Sequence, residues 1–512
     1  MFPGRPTPRW LPWVAGLATL VVLGAGALML YLDKRNGNVS NPNVEFSIQP
    51  APTTTQPPPP AKVGARHDAV FEWPDYGYDK ARTRFFALRD PAALHPPYTA
   101  RWALNGSTLL EFPPVMGARS LYLLKNNGAL YGISRRTGKP LWKRRLGALA
   151  AASPAYAHDS VFVVLLSRGN AKNAGRIVAV SARDGRTRWS RKLPSRAESS
   201  PLYDRGRVIF GTEDGTVYKL RANDGSIVWT YRASGAVKGG VAEDGGGNLY
   251  FGDYSGHVTS IRVADGSKRW EAGTSGGTLG LSAGGFYSTP AVAYNRVYLG
   301  NTDGKVYSFG AATGRLAWRH GTGSYVYSSP AVGQVPGGQP TVWIGSYDSN
   351  LYALDARTGR PRWTHHADGK ISGGVQVLGD LVFYSTLNRT TTALGARTGT
   401  PVWHTTRGAF NPVVSDGRRI YLVGYSSLFG LTPTKTLRHG KPAPTAAKST
   451  PAKPARPAQI VRRYRCLRHA RHQCARFAHR PPARPGHRPH CLKHRRGLCV
   501  RVVPRRSQGR RR

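Results

Sequence analysis

A tryptophan recurs at nearly constant intervals through most of this chain. Eight stand at Trp102, Trp142, Trp189, Trp229, Trp270, Trp318, Trp363 and Trp403, spaced 40, 47, 40, 41, 48, 45 and 40 residues apart. In the seven from Trp142 onward a glycine lies four residues earlier, at Gly138, Gly185, Gly225, Gly266, Gly314, Gly359 and Gly399, and each follows Asp or Thr. Upstream lies a second pattern, an apolar strand, a polar turn and another strand, as in VIFGTEDGTVYKL (Val208 to Leu220) and VYLGNTDGKVYSF (Val297 to Phe309). Asp-Gly turns of this kind need positive φ, which glycine accepts without strain. Each unit thus holds about four short strands in some forty residues, the period of a propeller blade. Such a blade cannot bury both faces alone and must stack on neighbours around an axis. A periodic tryptophan suits the gap between blades, and its regularity argues for packing over sugar stacking.

The count of units closes a ring. After Trp403, the segment NPVVSDGRRIYLVGYSSLFGL (Asn411 to Leu431) supplies three strands and no tryptophan. Trp102, in YTARWALN, lacks the upstream glycine turn and precedes the first full unit. It can be the outer strand of the last blade, which removes free sheet edges. The expected fold is all-β, an eight-bladed propeller of four-stranded antiparallel blades within residues 66–431.

ALDARTGRPRW (Ala353 to Trp363) resembles the repeat of the pyrroloquinoline-quinone (PQQ) type of β-propeller, and ALGARTGTPVW, AVSARDGRTRW and SFGAATGRLAW repeat it. No tryptophan is followed by Asp, so the Trp-Asp propeller repeat is not matched. The resemblance implies one of two branches. One comprises quinoprotein dehydrogenases, which hold PQQ and calcium at the axis. The other is non-enzymatic, similar to the propeller lipoprotein that assists outer-membrane barrel assembly, or to ligand-sensing ectodomains. The enzymes typically carry a vicinal disulfide near the cofactor and long insertions with calcium ligands; here residues 66–430 contain no cysteine and the inserts are short. A binding or scaffolding role without catalysis, metal or cofactor is therefore expected, with a PQQ- and calcium-dependent dehydrogenase as the alternative.

The flanks bear on location. After a short N-terminus (1–10), residues 11–32 form an uncharged apolar run of 22, long enough for a membrane helix of roughly 20 residues and longer than the core of a cleaved signal. Arg5, Arg9 and the amino terminus precede it and Asp33, Lys34 and Arg35 follow, a small positive bias on the N-terminal side that predicts the N-terminus inside and the propeller outside. A Pro/Thr-rich linker (33–65) includes Pro57 through Pro60, a stiff extended spacer. The formal net charge is +48, and half of it lies from Leu431 to Arg512, with 24 Lys or Arg and no acid. A Lys/Pro/Ala-rich linker (432–459) and a basic tail (460–512) are expected to be disordered. Outside the cell such a tail suits anionic cell-surface polymers or lipid headgroups, not nucleic acid. All four cysteines, Cys466, Cys474, Cys491 and Cys499, lie in a repeated C-L-[RK]-H-x-R-x-x-C unit. That spacing is unlike a zinc knuckle and favours two local disulfides, Cys466–Cys474 and Cys491–Cys499, in an oxidising compartment, with cross-pairing between the repeats as the alternative.

In a propeller the loops entering the innermost strands surround the axis. Here the strands start at SSP or STP motifs, and the nearby residues Arg196, Glu198, Lys238, Phe286, Tyr287, Tyr325, Tyr327, Lys370 and Phe410 are the candidate binding surface. Aromatic and cationic groups suit a peptide or an acidic glycan; packing that fills the axial channel is the competing use. The expected partners are envelope or membrane proteins. Protease added to intact cells should digest the propeller and spare cytoplasmic markers; protection of the propeller would reverse the orientation.

Overall fold

The computed structural model describes residues 37–47, 72–167, 174–274 and 284–434, with Thr19, Leu23 and Gly24 near the start and, by backbone alone, the tail strands. Eight antiparallel four-stranded blades form a ring: Val115–Arg145, Ala155–Leu193, Leu202–Arg232, Ala242–Gly273, Ala291–Gly321, Ala331–His366, Gln376–Thr405, and an eighth made of Val413–Pro433 with Tyr98–Leu104. In blade 3 the strands from axis to rim are A (Leu202–Asp204), B (Arg207–Gly211), C (Thr216–Arg221) and D (Ile227–Arg232). The other blades follow the same order. The closing strand pairs as the sequence requires, with Trp102 opposite Gly430.

Burial explains the residue pattern. B strands such as SVFVVLL (Ser160–Leu166) and LVFYS (Leu381–Ser385) are buried along their whole length, because both faces meet neighbouring blades. D strands such as PRWTHH (Pro361–His366) alternate between exposed and covered positions, since they form the rim.

Each tryptophan joins two blades. In all but Trp403 the indole N–H donates to a carbonyl of the next blade: Trp142 to Ala182 at 3.0 Å, Trp189 to Ala222 at 2.8 Å, Trp318 to Ala356 at 2.9 Å, and Trp102 across the seam to Arg135 at 3.1 Å. Its ring lies on the glycine three residues beyond that carbonyl. A Cβ on Gly185 would stand 2.5 Å from the Trp142 ring, and one on Gly359 2.7 Å from Trp318. The glycine four residues before each tryptophan therefore serves the preceding blade's tryptophan. Trp403 has no such glycine, because the chain leaves blade 8 there; Tyr98 meets its ring edge-on instead, with centroids 5.0 Å apart.

The linker expectation changes over residues 37–47. Val39–Ser40 adds a fifth strand to the rim of blade 5, with Ser40 opposite Trp318. Val44 is buried there, and the wholly buried Arg296 guanidinium donates to the Val44 and Glu45 carbonyls. An apolar side chain and an otherwise costly buried cation hold the segment on the blade. The polyproline stretch and most of the expected membrane helix lie outside the described residues, among which no helix is long and apolar enough to cross a membrane.

The tail (437–512) is a separate unit. Expected to be disordered, its backbone pairs as an antiparallel sheet in the order Gln473–Phe477, Ile460–Ala470, Leu498–Val503, His494–Arg495. The cysteine side chains and their expected cross-links lie outside the described residues.

Replacing Trp318 by Ala should cost about 3–5 kcal/mol. Gly359→Ala should cost roughly 1–3 kcal/mol, because its φ of +72° is strained for alanine and the new methyl meets Trp318. Leu141→Ala, on the exposed rim, should stay within about 0.5 kcal/mol. Urea unfolding midpoints check all three.

Candidate functional site

The axial channel is closed by a segment that sequence reasoning left unassigned. Each innermost strand has one edge paired with strand B and the other facing the axis, where its N–H groups need acceptors. Residues 73–86 supply them. Met116, Tyr156, Tyr203, Glu243, Val292, Val332 and Val377, each the second residue of strand A in blades 1 to 7, donate in turn to the carbonyls of Trp73 and Pro74, the Asp75 carboxylate, and the carbonyls of Lys80, Ala81, Thr83 and Arg84. Phe85–Phe86 runs parallel to Gln376–Leu378. Arg82, fully buried, donates to the carbonyls of Tyr76 (2.6 Å), Val241 (2.9 Å), Ser200 (3.2 Å) and Pro201 (3.0 Å), which ties the plug to the surrounding strands.

Above the plug, a repeated arrangement builds the funnel. The loop entering strand A reads apolar residue, then x, then Ser or Gly. The apolar residue packs over the glycine that ends strand B: Val237 on Gly211, Phe286 on Gly252, Val326 on Gly300, Ile371 on Gly345. The next residue, x, then points to the axis, as Glu198, Lys238, Tyr287, Tyr327 and Ser372 do around one cavity. The residue before the apolar one accepts a hydrogen bond from the B–C turn. Glu213, Tyr254, Tyr347 and Leu387 donate their backbone N–H to Arg196, Ala236, Tyr325 and Lys370 respectively, all at 2.9–3.0 Å. The Ser or Thr hydroxyls accept from the adjacent blade, as Ser200 does from the Ser153 N–H and Ser329 from the Thr289 N–H, both at 3.0 Å.

This arrangement sorts the expected surface. Glu198, Lys238, Tyr287, Tyr327 and Phe410 line the cavity with Tyr76, Glu111 and Asn411. Arg196, Tyr325 and Lys370 stand around it, and Tyr325 is 53% exposed. Phe286 is a correction. It is fully buried in the blade 4–5 core, because it occupies the apolar position and alternation turns it away from Tyr287. Sequence reasoning missed Glu213, Tyr254 and Tyr347. The signal was present in the turns TEDG, DYSG and SYDS, since B–C turns share a face with the loops entering strand A.

The funnel has two chemistries. One side is an arc of rings from Tyr254 through Tyr287 and Tyr327 to Tyr347, with successive centroids 6.2, 5.7 and 4.9 Å apart. Lysines cap its ends, Lys238 at 5.3 Å from the Tyr254 ring and Lys370 at 5.5 Å from that of Tyr347. The other side is a charge quartet. Arg196 and Lys238 bridge both Glu198 and Glu213, with Lys238 Nζ 2.9 Å from Glu213. Burial and the neighbouring Glu213 carboxylate raise Glu198, whereas hydrogen bonds from Glu198 and Lys238 outweigh burial and lower Glu213. Of the two carboxyls, Glu198 is therefore the harder to ionise.

The floor cavity measures about 40 Å³, room for a few water molecules and far below the roughly 300 Å³ of a cofactor-sized site. Among the described residues no three His, Cys, Asp or Glu side chains gather as metal ligands. The described residues around this cavity therefore do not form a site that fits PQQ with calcium.

Ring, blade order and Trp–Gly contacts together define an eight-bladed propeller of the PQQ repeat type. The chain belongs to the family described as outer membrane protein assembly factor BamB, whose model matches residues 126–325 and 302–435, more than half of the sequence. No curated protein sequence matches the chain. Among solved structures, BamB from Moraxella catarrhalis is similar with a TM-score of 0.54 at 18% identity, over 67% of this chain and 100% of that one. The quinohemoprotein alcohol dehydrogenase ADHIIG from Pseudomonas putida HK5 is similar with a TM-score of 0.59 at 14% identity, over 75% and 83%. A europium-containing methanol dehydrogenase gives 0.57 at 13%, over 71% and 98%. At these identities the likeness concerns the fold.

The plug has a pH signature. Burial, only partly offset by Arg82, pushes the Asp75 carboxyl up to about 6. The folded state then holds a proton that the unfolded state releases, so stability falls as pH rises from about 4 to about 6. Asp75→Asn should remove a decline on the order of 2–3 kcal/mol, read from urea midpoints at pH 4.5 and 7.

Proposed function

We propose that this protein is a non-catalytic binding module of the cell envelope, anchored by its N-terminal segment with the propeller outside the cytoplasm, and that its funnel docks an exposed segment of an envelope or membrane protein. The observation that carries this reading is the lysine-capped tyrosine arc above a plugged floor. Tyrosine offers large, rigid contact area with a polar tip, and the flanking ammonium groups suit acidic side chains. A surface closed below by the plug takes the end or the loop of a polypeptide rather than an engulfed small molecule. The family's description as an assembly factor agrees with a partner in the envelope. The basic tail adds attraction to anionic lipid or polymer, which weakens steeply with salt.

The test is a photo-crosslinking residue in place of Tyr325 in native membranes. Discrete protein adducts should form, and Lys238→Glu with Lys370→Glu should cut their yield roughly tenfold, the effect of losing one or two kcal/mol of contact energy. The same crosslinker at Leu141 on the rim should give none; equal adducts from both positions would reject a funnel partner. Oxidation of alcohols or sugars by the protein supplied with PQQ and calcium would replace this reading by the dehydrogenase one.

A further inference from the structure

Antiparallel blades put their A–B and C–D turns on one face and their B–C turns and funnel loops on the other. On the face away from the funnel, a crevice of about 600 Å³ opens between blades 3 and 4. We propose that this crevice binds a phosphorylated polyol or sugar, its phosphate held by the crevice arginines and a hydroxyl by Glu243.

The first support comes from comparing the blades with one another. Opposite the tryptophan of each outer strand stands a small residue: Gly132, Ala179, Ser260, Ser308, Ala353, Ala393 or Gly430. Blade 3 alone places a lysine there, Lys219 opposite Trp229. Its stem is buried and its ammonium donates to the Val263 carbonyl at 2.5 Å, at the crevice wall. Packing does not require a cation at this position, and the carboxylates that favour its charge, Asp204 and Glu243, line the same crevice.

The second support is the distribution of charge. Arg207, Arg262 and Arg269 line the same crevice. Each donates to a neutral acceptor, respectively the Gly206 carbonyl at 3.1 Å, Ser267 Oγ at 3.2 Å and Asn248 Oδ1. Among the described residues none of the three has a carboxylate within ion-pair distance. Planar guanidinium forks around one space suit a tetrahedral dianion. The acids present are otherwise placed. Asp204 is engaged by Lys80 and, at 3.5 Å, by Arg205. Glu243 is 3% exposed and its Oε2 has no partner. Burial and Asp204 raise its carboxyl to about 7, so near neutrality it repels a phosphate weakly and still exchanges hydrogen bonds with a hydroxyl. The volume exceeds the need of a bare phosphate and matches a small phosphorylated ligand.

The test is calorimetry on the full-length protein with glycerol 3-phosphate, inorganic phosphate and glycerol. Glycerol 3-phosphate should bind saturably at one site, more tightly than phosphate, and glycerol should not bind. Arg269→Ala and Arg207→Ala should each weaken binding at least tenfold. Glu243→Ala should erase the preference over phosphate, and Leu141→Ala on the exposed rim should change nothing. If either arginine variant loses thermal stability, Arg262→Ala, at the exposed mouth, carries the comparison. Displacement by phosphatidylglycerol vesicles would identify a lipid headgroup as the source, and displacement only by a soluble polyol-phosphate polymer would identify the polymer; both support the site. Non-saturable heats, or an affinity that all three arginine variants leave unchanged, would assign the binding to the basic tail and overturn the proposal.

Discussion

The contact on which the structure depends is a tryptophan resting on a glycine of the next blade. A single blade exposes both faces of a sheet and has no core of its own. The indole covers one face and ties its N–H to the neighbour's backbone, while a left-handed glycine lets the ring approach to van der Waals distance. Any Cβ at Gly185 or Gly359 would fall within 3 Å of that ring. The two residues of each sequence pair, four apart, therefore belong to different interfaces, one on each side of the blade. This makes stability a sum of neighbouring contacts, closed into a cycle. At the seam the cycle is maintained by Trp102 on Gly138 and by Tyr98 against Trp403.

Closing a ring of eight blades leaves an axis lined by unpaired strand edges. The plug answers that by threading the axis and accepting one N–H from each of seven blades in turn. Its curl needs left-handed backbone at Gly77, Tyr78, Arg82 and Arg84, and the buried Arg82 guanidinium compensates that strain with four carbonyl bonds. With the lower channel occupied, the axial opening that remains lies at the upper rim and is lined by aromatic and charged side chains. The plug thus converts a channel into a shallow surface.

The two faces of the ring have different chemistry for the same geometric reason. B–C turns end in Asp-containing hairpins whose carboxylates cap their own backbone, as Asp214, Asp253 and Asp348 do. C–D turns carry the Arg and Lys of the repeat, RTGR, ARTG and RDGR. Alternation of strand direction gathers each set onto one side. The crevice at Lys219 is the point where this basic face gains depth, because blade 4 enters its B strand through the long glycine turn Asp244 to Asn248, held by Asp244 hydrogen bonds to Gly246 and Asn248.

Periodicity alone determined the fold, since a Trp-Gly pair every forty-odd residues has one economical solution, and the unmatched Trp102 and the tryptophan-less last unit have one way to complete each other. It also marked the loops around the axis, because the SSP and STP motifs sit at strand A. What tertiary structure decided is which of those loop residues face the axis. Phe286 and Tyr287 are adjacent and chemically alike, and only the glycine floor of strand B settles that one is core and the other is funnel. The plug, the docking of residues 37–47 on blade 5 and the Lys219 crevice were likewise invisible in the linear chain. None repeats, and each depends on backbone groups and side chains brought together from positions far apart in sequence, whose unmet hydrogen bonds exist only once the ring has closed.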